Sequence, residues 1–461
     1  MKDDRVFIGV QEVLRMELEV FTTYGQGSWQ EQFHQNVAFK EDTGKENNVI
    51  NLYPDVKFET FEAFGGAVTD AAAYVYSLMD EKQKKELMHT YFSPERMNYK
   101  IVRIHIDSCD FATEMYEAMS NPEDKKLETF SFERTEKYIM PMLADAQKEA
   151  GEPLELMLSP WSPPAFMKTN GQRTYGGSIK PEYRQMWANY ICRYITEFTK
   201  RGYKVKRISL QNEPKAVQTW DSCIYTGAQE KEFLRDYMYP ALKAHGFDEV
   251  EIFVWDHNKE RVFERMCEIV DEETDKMVAG VAFHWYSGDH FEALDMVRRK
   301  FPDKKMIISE SCIEYSKFGE NDGSKSAERL SHEIIGDLNG GMTAFYDWNL
   351  LLDENGGPNH VGNFCHAPFL YDTKKKKLMP QLIAQHFEHF SHYLNKGSVR
   401  IGYSRYTEEI DATAFKRPDG KIICILLNKS EQPMTVNIRI KGKLASVVLY
   451  PQSITTGIIE E

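Results

Sequence analysis

Eight short apolar runs, each followed by a longer stretch of helical period, fill the chain from about Phe61 to Asn349. They are FEAFGG (61–66), IVRIHI (101–106), LELMLSPW (154–161), RISLQNE (207–213), EIFVWD (251–256), VAFHWY (281–286), MIISE (306–310) and MTAFYDWN (342–349). Such runs suit parallel strands, which are buried on both faces and so need no polar alternation. In PEYRQMWANYICRYITEF, Tyr183, Met186, Trp187, Tyr190, Ile191, Tyr194, Ile195 and Phe198 recur at spacings of three and four, and Pro181 suits a first helical turn. Similar patterns fall at roughly 70–90, 133–149, 228–245, 259–271, 291–300, 326–338 and 379–393. Eight strand-then-helix units predict an α/β chain folded as a (β/α)8 TIM barrel with insertions. A doubly wound sheet would show fewer strands and a glycine-rich phosphate loop, and no GxGxxG follows any run. An α/β protein of another topology is the rival reading.

The pattern changes from about Lys396. IDATAFKRPDGKIICILLN is two strand-like runs around Pro418-Asp419-Gly420, and Val436, Ile438 and Ile440 alternate with polar residues. Near the other end, Leu14, Met16, Leu18 and Val20 share one side of a further strand that could pair with these. The expected organisation is a small side β-sandwich built from residues 1–57 plus 394–461, with the barrel, 58–393, inserted between. Four lysines at 374–377 read as a solvated turn.

Apolar content of 42% and charged content of 28% fit a globular enzyme, and no stretch approaches the roughly 18 consecutive apolar residues of a membrane helix. The first residues, MKDDRVFIGVQEVLRMELEVF, are too charged to supply the apolar centre of a signal peptide. The expected location is the cytoplasm, or outside the cell if a leader was removed ahead of this start. Seven scattered cysteines with no CxxC pair argue against both a complete disulfide framework and a cysteine metal site. A net charge of −14 repels phosphate backbones, which excludes nucleic acid as an expected partner. The oligomeric state has no signal in the sequence.

Chemistry on a (β/α)8 barrel gathers at the C-terminal ends of the strands. The polar residues there are Asp70 after the first run, Arg103 in the second with Asp110 beyond it, Trp161 on the third, and Asn212 and Glu213 on the fourth. Asp256 and His257 follow on the fifth, His284 and Tyr286 on the sixth, Glu310 on the seventh, and Asp347, Trp348 and Asn349 on the eighth. Taken singly, a strand-end Glu is by default an ion-pair partner, a Trp core, a His structural, and Cys312 a buried apolar residue. Jointly, two carboxylates on runs four and seven among aromatics and amides suit glycosidic bond hydrolysis. One carboxyl donates a proton to the leaving oxygen while the other attacks the anomeric carbon. Proximity is expected to raise the pKa of one of them.

The segments FGGAVTDAA (64–72), YKIVRIHIDSCDFA (99–112), LSPWSPPAFMKTNG (158–171), LQNEP (210–214), AFHWYSG (282–288), ISESC (308–312) and DWNLLLDENGGPNHVGNF (347–364) resemble glycoside hydrolase family 30, and within it the glucosylceramidase branch. The resemblance implies a clan A retaining β-glycosidase with a side β-sandwich drawn from both termini, working without cofactor or metal on a β-glucoside or oligosaccharide. By the family's pattern Glu213 is the general acid/base and Glu310 the nucleophile. Sugar-binding positions carry over to Arg103, Asp110, Trp161, Asn212, His284, Tyr286, Trp348 and Asn363. Asn212 would donate to the sugar 2-hydroxyl, Arg103 and Tyr286 would hold Glu310 ionised and aimed, and Asp110 with Trp161 would grip a terminal sugar in an exo-acting pocket. The expected activity is removal of terminal β-D-glucosyl residues, of glucosylceramidase type. Alternatives are β-1,6-glucanase, β-xylosidase or β-fucosidase action, or a non-catalytic carbohydrate-binding barrel. The chain departs from the branch at His105, where proline is common, and in the loop KAVQTWDSCIYTG (215–227) on the leaving-group side.

Overall fold

The computed structural model describes residues 16–24, 31–319 and 323–460. Leu14 and the charged leading residues lie outside this range.

Eight parallel strands close in sequence order into a barrel: Ala63–Ala67, Ile101–Ile106, Glu155–Pro160, Lys204–Ser209, Glu251–Asn258, Gly280–His284, Lys305–Glu310 and Ala344–Asp347. Each overlaps one of the eight apolar runs, and these are barrel strands one to eight below. Strand four stops earlier than its run, at Ser209, so Leu210–Glu213 belong to the loop that follows. The register slips on both sides of strand six, next to Phe283 and His284, a bulge that re-aims side chains at the strand end.

The barrel interior is layered because inward-facing residues recur every second position. At the bottom Arg207, fully buried, donates to Glu251 at 3.1 Å and to the Tyr346 hydroxyl at 3.0 Å, and pairs with Glu62. Above it lies an apolar layer containing Ile101, Met157, Phe253, Ile307 and Ala344. Two residues further along the same strands the lining turns polar, with Arg103, Ser159 and Ser309, and Ser209 stands two residues beyond Arg207. The apolar plug seals one end, and the polar layer forms the floor of the other.

Helices cover the outside. Arg184–Lys200 buries Trp187, Tyr190, Ile191 and Tyr194 against the strands, each large apolar group contributing roughly 1.5–3 kcal/mol. The pattern at 70–90 resolves into two helices, Asp70–Ser77 and Glu81–Phe92, because Asp80 caps the second through a reciprocal bond with Gln83. After strand eight the chain forms a three-stranded sheet, Leu352–Asp353, Phe369–Asp372 and Lys377–Pro380, whose strands are too short to carry a periodic signal. Lys374 to Lys376 make the turn between the last two.

The remaining strands form a β-sandwich round a separate apolar core that includes Leu18, Val20, Ile401, Ile422, Val436, Ile438 and Ile440. Ile410–Lys416 and Ile422–Asn428 are the hairpin expected at Pro418-Asp419-Gly420. Strand Glu17–Tyr24 pairs antiparallel with Ser453–Ile459, so the two ends of the chain close one sheet. Among the described residues no helix is long and apolar enough to cross a membrane.

Candidate active site

Arg103 organises the mouth of the barrel. It projects from strand two with no solvent exposure, and its planar fork meets four partners. Nη1 donates to Glu310 Oε2 at 2.6 Å, Nη2 to Asn212 Oδ1 at 2.8 Å and to Asp256 Oδ2 at 3.0 Å, and Nε to Ser159 Oγ at 3.1 Å. Two carboxylates compensate a fixed guanidinium that burial alone would make costly. The Tyr286 hydroxyl donates to the other Glu310 oxygen at 3.0 Å, so both carboxyl oxygens are held and the rotamer is set. Because guanidinium only donates, the Asn212 atom facing it is the carbonyl oxygen, which leaves the Asn212 Nδ2 amide to the cavity.

Glu213 is placed by its backbone. Its φ is +48°, in the left-handed region, a conformation costing a non-glycine residue about 1–3 kcal/mol. Cross-strand bonds fix it there: Asn212 N–H donates to Pro160 O at 2.8 Å and Glu213 N–H to Asp256 O at 2.9 Å. The loop after strand four is thereby tied to strands three and five, and Pro214 follows where the chain turns away. The Glu213 carboxyl meets two imidazoles, His284 Nδ1 at 3.2 Å and His257 Nε2 at 3.9 Å. His284 in turn places Nε2 at 3.1 Å from Asp256 Oδ1, and Asp256 also accepts from Ser209 and Ser309, each at 2.5 Å.

This network sets the protonation states. Burial pushes Asp256 up, but Arg103 and His284 hold it well below the usual carboxylate range. Burial pushes His284 down, yet the Glu310 charge and its bonds to Asp256 and Glu213 raise it to about 9. Burial also pushes Glu213 up, but His257 and His284 outweigh it and bring the carboxyl below its ordinary value. Proximity is expected to raise one of the two carboxyls, and at Glu213 the two imidazoles outweigh that effect. In the free site the proton rests on the His284 imidazolium, which donates to Glu213 on one side and to Asp256 on the other. Asp110, by contrast, is raised, pushed up to about 8 by burial and then by Glu310.

A cavity of about 210 Å³ opens over this floor. Eight of the ten residues expected from sequence line it: Asp110, Trp161, Asn212, Glu213, Tyr286, Glu310, Trp348 and Asn363. Trp161 and Trp348 stack at 5.3 Å and 18°, with the Arg103 guanidinium at 4.9 and 5.4 Å from their ring centroids. Asn363 donates Nδ2 to Asp110 Oδ2 at 3.1 Å, joining the loops after strands eight and two. Arg103 and His284 do not reach the cavity wall and stand behind Glu310 and Glu213 as supports. Other polar strand-end residues serve the scaffold: Asp70 binds Arg134 at 2.8 Å, Asn349 accepts from Thr69 at 2.6 Å, and His105 Nε2 accepts from Asp70 N–H at 2.9 Å.

The sequence reading missed Gln218, Trp220, Asn258 and Glu314, which also line the cavity. Two had a usable signal: Trp220 lies in the loop that departs from the glucosylceramidase pattern, and Glu314 stands four residues beyond Glu310. Among the described residues no group of His, Cys, Asp and Glu could hold a metal ion. The seven cysteines are free thiols, and only Cys267 is exposed.

Comparison with known proteins agrees with this architecture. Residues 61–394 match the Glycosyl hydrolase family 30 TIM-barrel domain, and residues 397–457 the Glycosyl hydrolase family 30 beta sandwich domain. Lysosomal acid glucosylceramidase of Mus musculus is 32% identical over 420 residues, covering 87% of this chain and 81% of its own. Endo-1,6-beta-D-glucanase of Neurospora crassa is 24% identical, covering 89% of this chain and 87% of its own. The crystal structure of SrfJ from Salmonella typhimurium superposes with a TM-score of 0.93 at 33% identity, over 97% of this chain and 100% of that one. With both domains matched to one family in the order the fold shows, the chain belongs to glycoside hydrolase family 30.

Proposed function

We propose that this glycoside hydrolase is a retaining exo-β-glucosidase acting by double displacement. The observation that carries the reading is the pair Glu213 and Glu310, presented by the loop after strand four and the end of strand seven to one cavity. Glu310, gripped by Arg103 and Tyr286 on both oxygens, attacks the anomeric carbon. Glu213 protonates the departing oxygen, receiving the proton from His284 across their 3.2 Å contact as the substrate displaces water. A covalent glucosyl-enzyme forms, and Glu213 then takes a proton from the incoming water to release glucose with retained configuration. The Asn212 Nδ2 amide donates to the 2-hydroxyl, a bond that strengthens towards the transition state.

The cavity supports exo action. At about 210 Å³ it is smaller than the roughly 300–1,000 Å³ of pockets for drug-sized ligands, a size for one sugar ring rather than a run of them. The stacked Trp161 and Trp348 offer apolar surface to the ring, while Asp110 and Asn363 offer polar atoms to its hydroxyls.

The test is a hydrolysis panel of aryl β-glucoside, β-xyloside and β-fucoside, β-1,6-glucan and glucosylceramide, with the first-formed anomer followed by NMR. The expected result is preference for the β-glucoside with β-glucose appearing first. Initial α-glucose would sink the retaining mechanism, dominant action inside the glucan would sink the exo reading, and sugar binding without any hydrolysis would make the chain a non-catalytic barrel.

A further inference from the structure

The cavity has two chemically different sides. From strands eight, two and three come Trp348 and Asn363, Asp110, and Trp161, which suit the terminal glucose. From strands four, five and seven come Gln218 and Trp220, Asn258, and Glu314. Glu213 stands in the loop after strand four and Glu310 at the end of strand seven, and the residues just beyond Glu213 in the chain lie where its proton is delivered. The second group is therefore the leaving-group side.

Among the described residues no hydrogen bond or ion pair engages the Glu314 side chain. Glu314 begins the short helix Tyr315–Phe318, but its side chain makes no capping hydrogen bond. Its backbone is pinned against the loop after strand eight, with Tyr315 N–H donating to Phe364 O at 3.1 Å and His366 N–H to Ile313 O at 2.8 Å. The nearest cation, Lys317, is engaged with the Tyr286 carbonyl. Burial and the charges of Glu213 and Glu310 act against ionisation, with only Lys317 opposing, and push its carboxyl above the ordinary value. A third carboxyl held beside two others costs stability, and groups retained at such cost cluster at functional sites.

We propose that Glu314 determines the leaving group, accepting hydrogen bonds from the hydroxyls of a sugar that lies against Trp220 between Gln218 and Asn258. The natural substrate class is then a β-glucosyl sugar, and a lipid aglycone is disfavoured because a carboxylate facing acyl chains loses its water without gaining a partner. Trp220 covers the apolar face of such a ring, and the two amides supply further donors and acceptors. The proposal rests on the exo-β-glucosidase reading above.

The experiment uses the full chain and compares Glu314→Ala, Glu314→Gln and Glu314→Asp with the parent on an aryl β-glucoside, a β-1,6-linked glucose disaccharide and glucosylceramide in detergent micelles. For Glu314→Ala the ratio of kcat/KM on the disaccharide to that on the aryl glucoside should fall about 10- to 100-fold, the loss for a charge-assisted hydrogen bond, with most of it in KM. Glu314→Asp should recover part of the ratio and Glu314→Gln less. An equal fall on both substrates would overturn the proposal, since Glu314 would then act on the catalytic carboxyls rather than on the leaving group. So would parent preference for glucosylceramide over the disaccharide. Inactivity of the parent on every β-glucoside, the aryl glucoside included, would bring down the glucosidase reading and the proposal with it.

Discussion

Arg103 Nη1 lies 2.6 Å from Glu310 Oε2 while the same guanidinium holds Asp256 at 3.0 Å, both contacts without solvent access at the arginine. Removing the arginine strands two carboxylates over a low-dielectric floor, which costs roughly 3–5 kcal/mol when one partner of a buried ion pair is deleted. Arg103→Leu should therefore lower the thermal midpoint by several degrees and abolish turnover on an aryl β-glucoside. Arg103→Lys keeps the charge but not the fork, so it should fold and lose kcat because Asn212 and Glu310 can no longer be held together. Calorimetry and kinetics on both variants check this, and an active Arg103→Leu would refute the role.

The two carboxyls can be told apart by small anions. Glu310→Ala leaves a space on the face of the ring where the nucleophile stood, so azide there should restore turnover of an activated aryl glucoside and give α-glucosyl azide. Glu213→Ala, expected to cost roughly 10²- to 10⁴-fold for loss of general acid–base catalysis, should instead yield β-glucosyl azide from the covalent intermediate. Reversed products, read by NMR, would exchange the two assignments.

The barrel was legible because parallel strands must be apolar on both faces, and the helices between them carry an unmistakable period, as in Tyr183 to Phe198. Glu213 and Glu310 were legible for a related reason: charge that directly follows an apolar barrel run falls at the mouth. The support beneath was not. Asp256 bonds Arg103 across 153 positions and His284 across 28, contacts that exist only once the barrel closes. The left-handed turn at Glu213 and the close of strand four at Ser209 are likewise set by bonds to strands three and five rather than by local propensity.

The proton on His284 makes the pH profile diagnostic. Glu213 and His284 lose one shared proton, and because the imidazole holds it, the alkaline limb of kcat/KM should follow the His284 value of about 9 rather than that of a carboxyl. His284→Gln keeps a hydrogen bond to Glu213 but no reservoir, so the limb should move to lower pH. The stability linkage has a definite sign. A histidine raised from 6.5 to about 9 contributes stability fully below its unfolded value, and that contribution is lost as pH rises through about 9. His284→Gln should flatten the midpoint-against-pH curve in that window. A wild-type limb in the carboxyl range would contradict the assignment.

Asp110 works in the opposite direction. Its carboxyl is raised from 3.8 to about 8, so between these values the folded chain binds a proton that the unfolded chain does not, and stability falls as pH rises across the window. Each unit of difference corresponds to about 1.4 kcal/mol, which makes this a cost of a few kcal/mol by the top of the window. Asp110→Asn is the permanently neutral isostere and keeps a side-chain oxygen to accept from Asn363. It should match the parent in thermal midpoint near the acid end, exceed it progressively towards about pH 8, and hold a constant lead beyond. The same change should raise KM for the glucoside, because a neutral carboxyl donates a hydrogen bond from its O–H to a sugar hydroxyl where an amide presents a different donor geometry. A midpoint difference that does not vary with pH would show that Asp110 is ionised in the folded chain and that its repulsion by Glu310 is relieved in some other way.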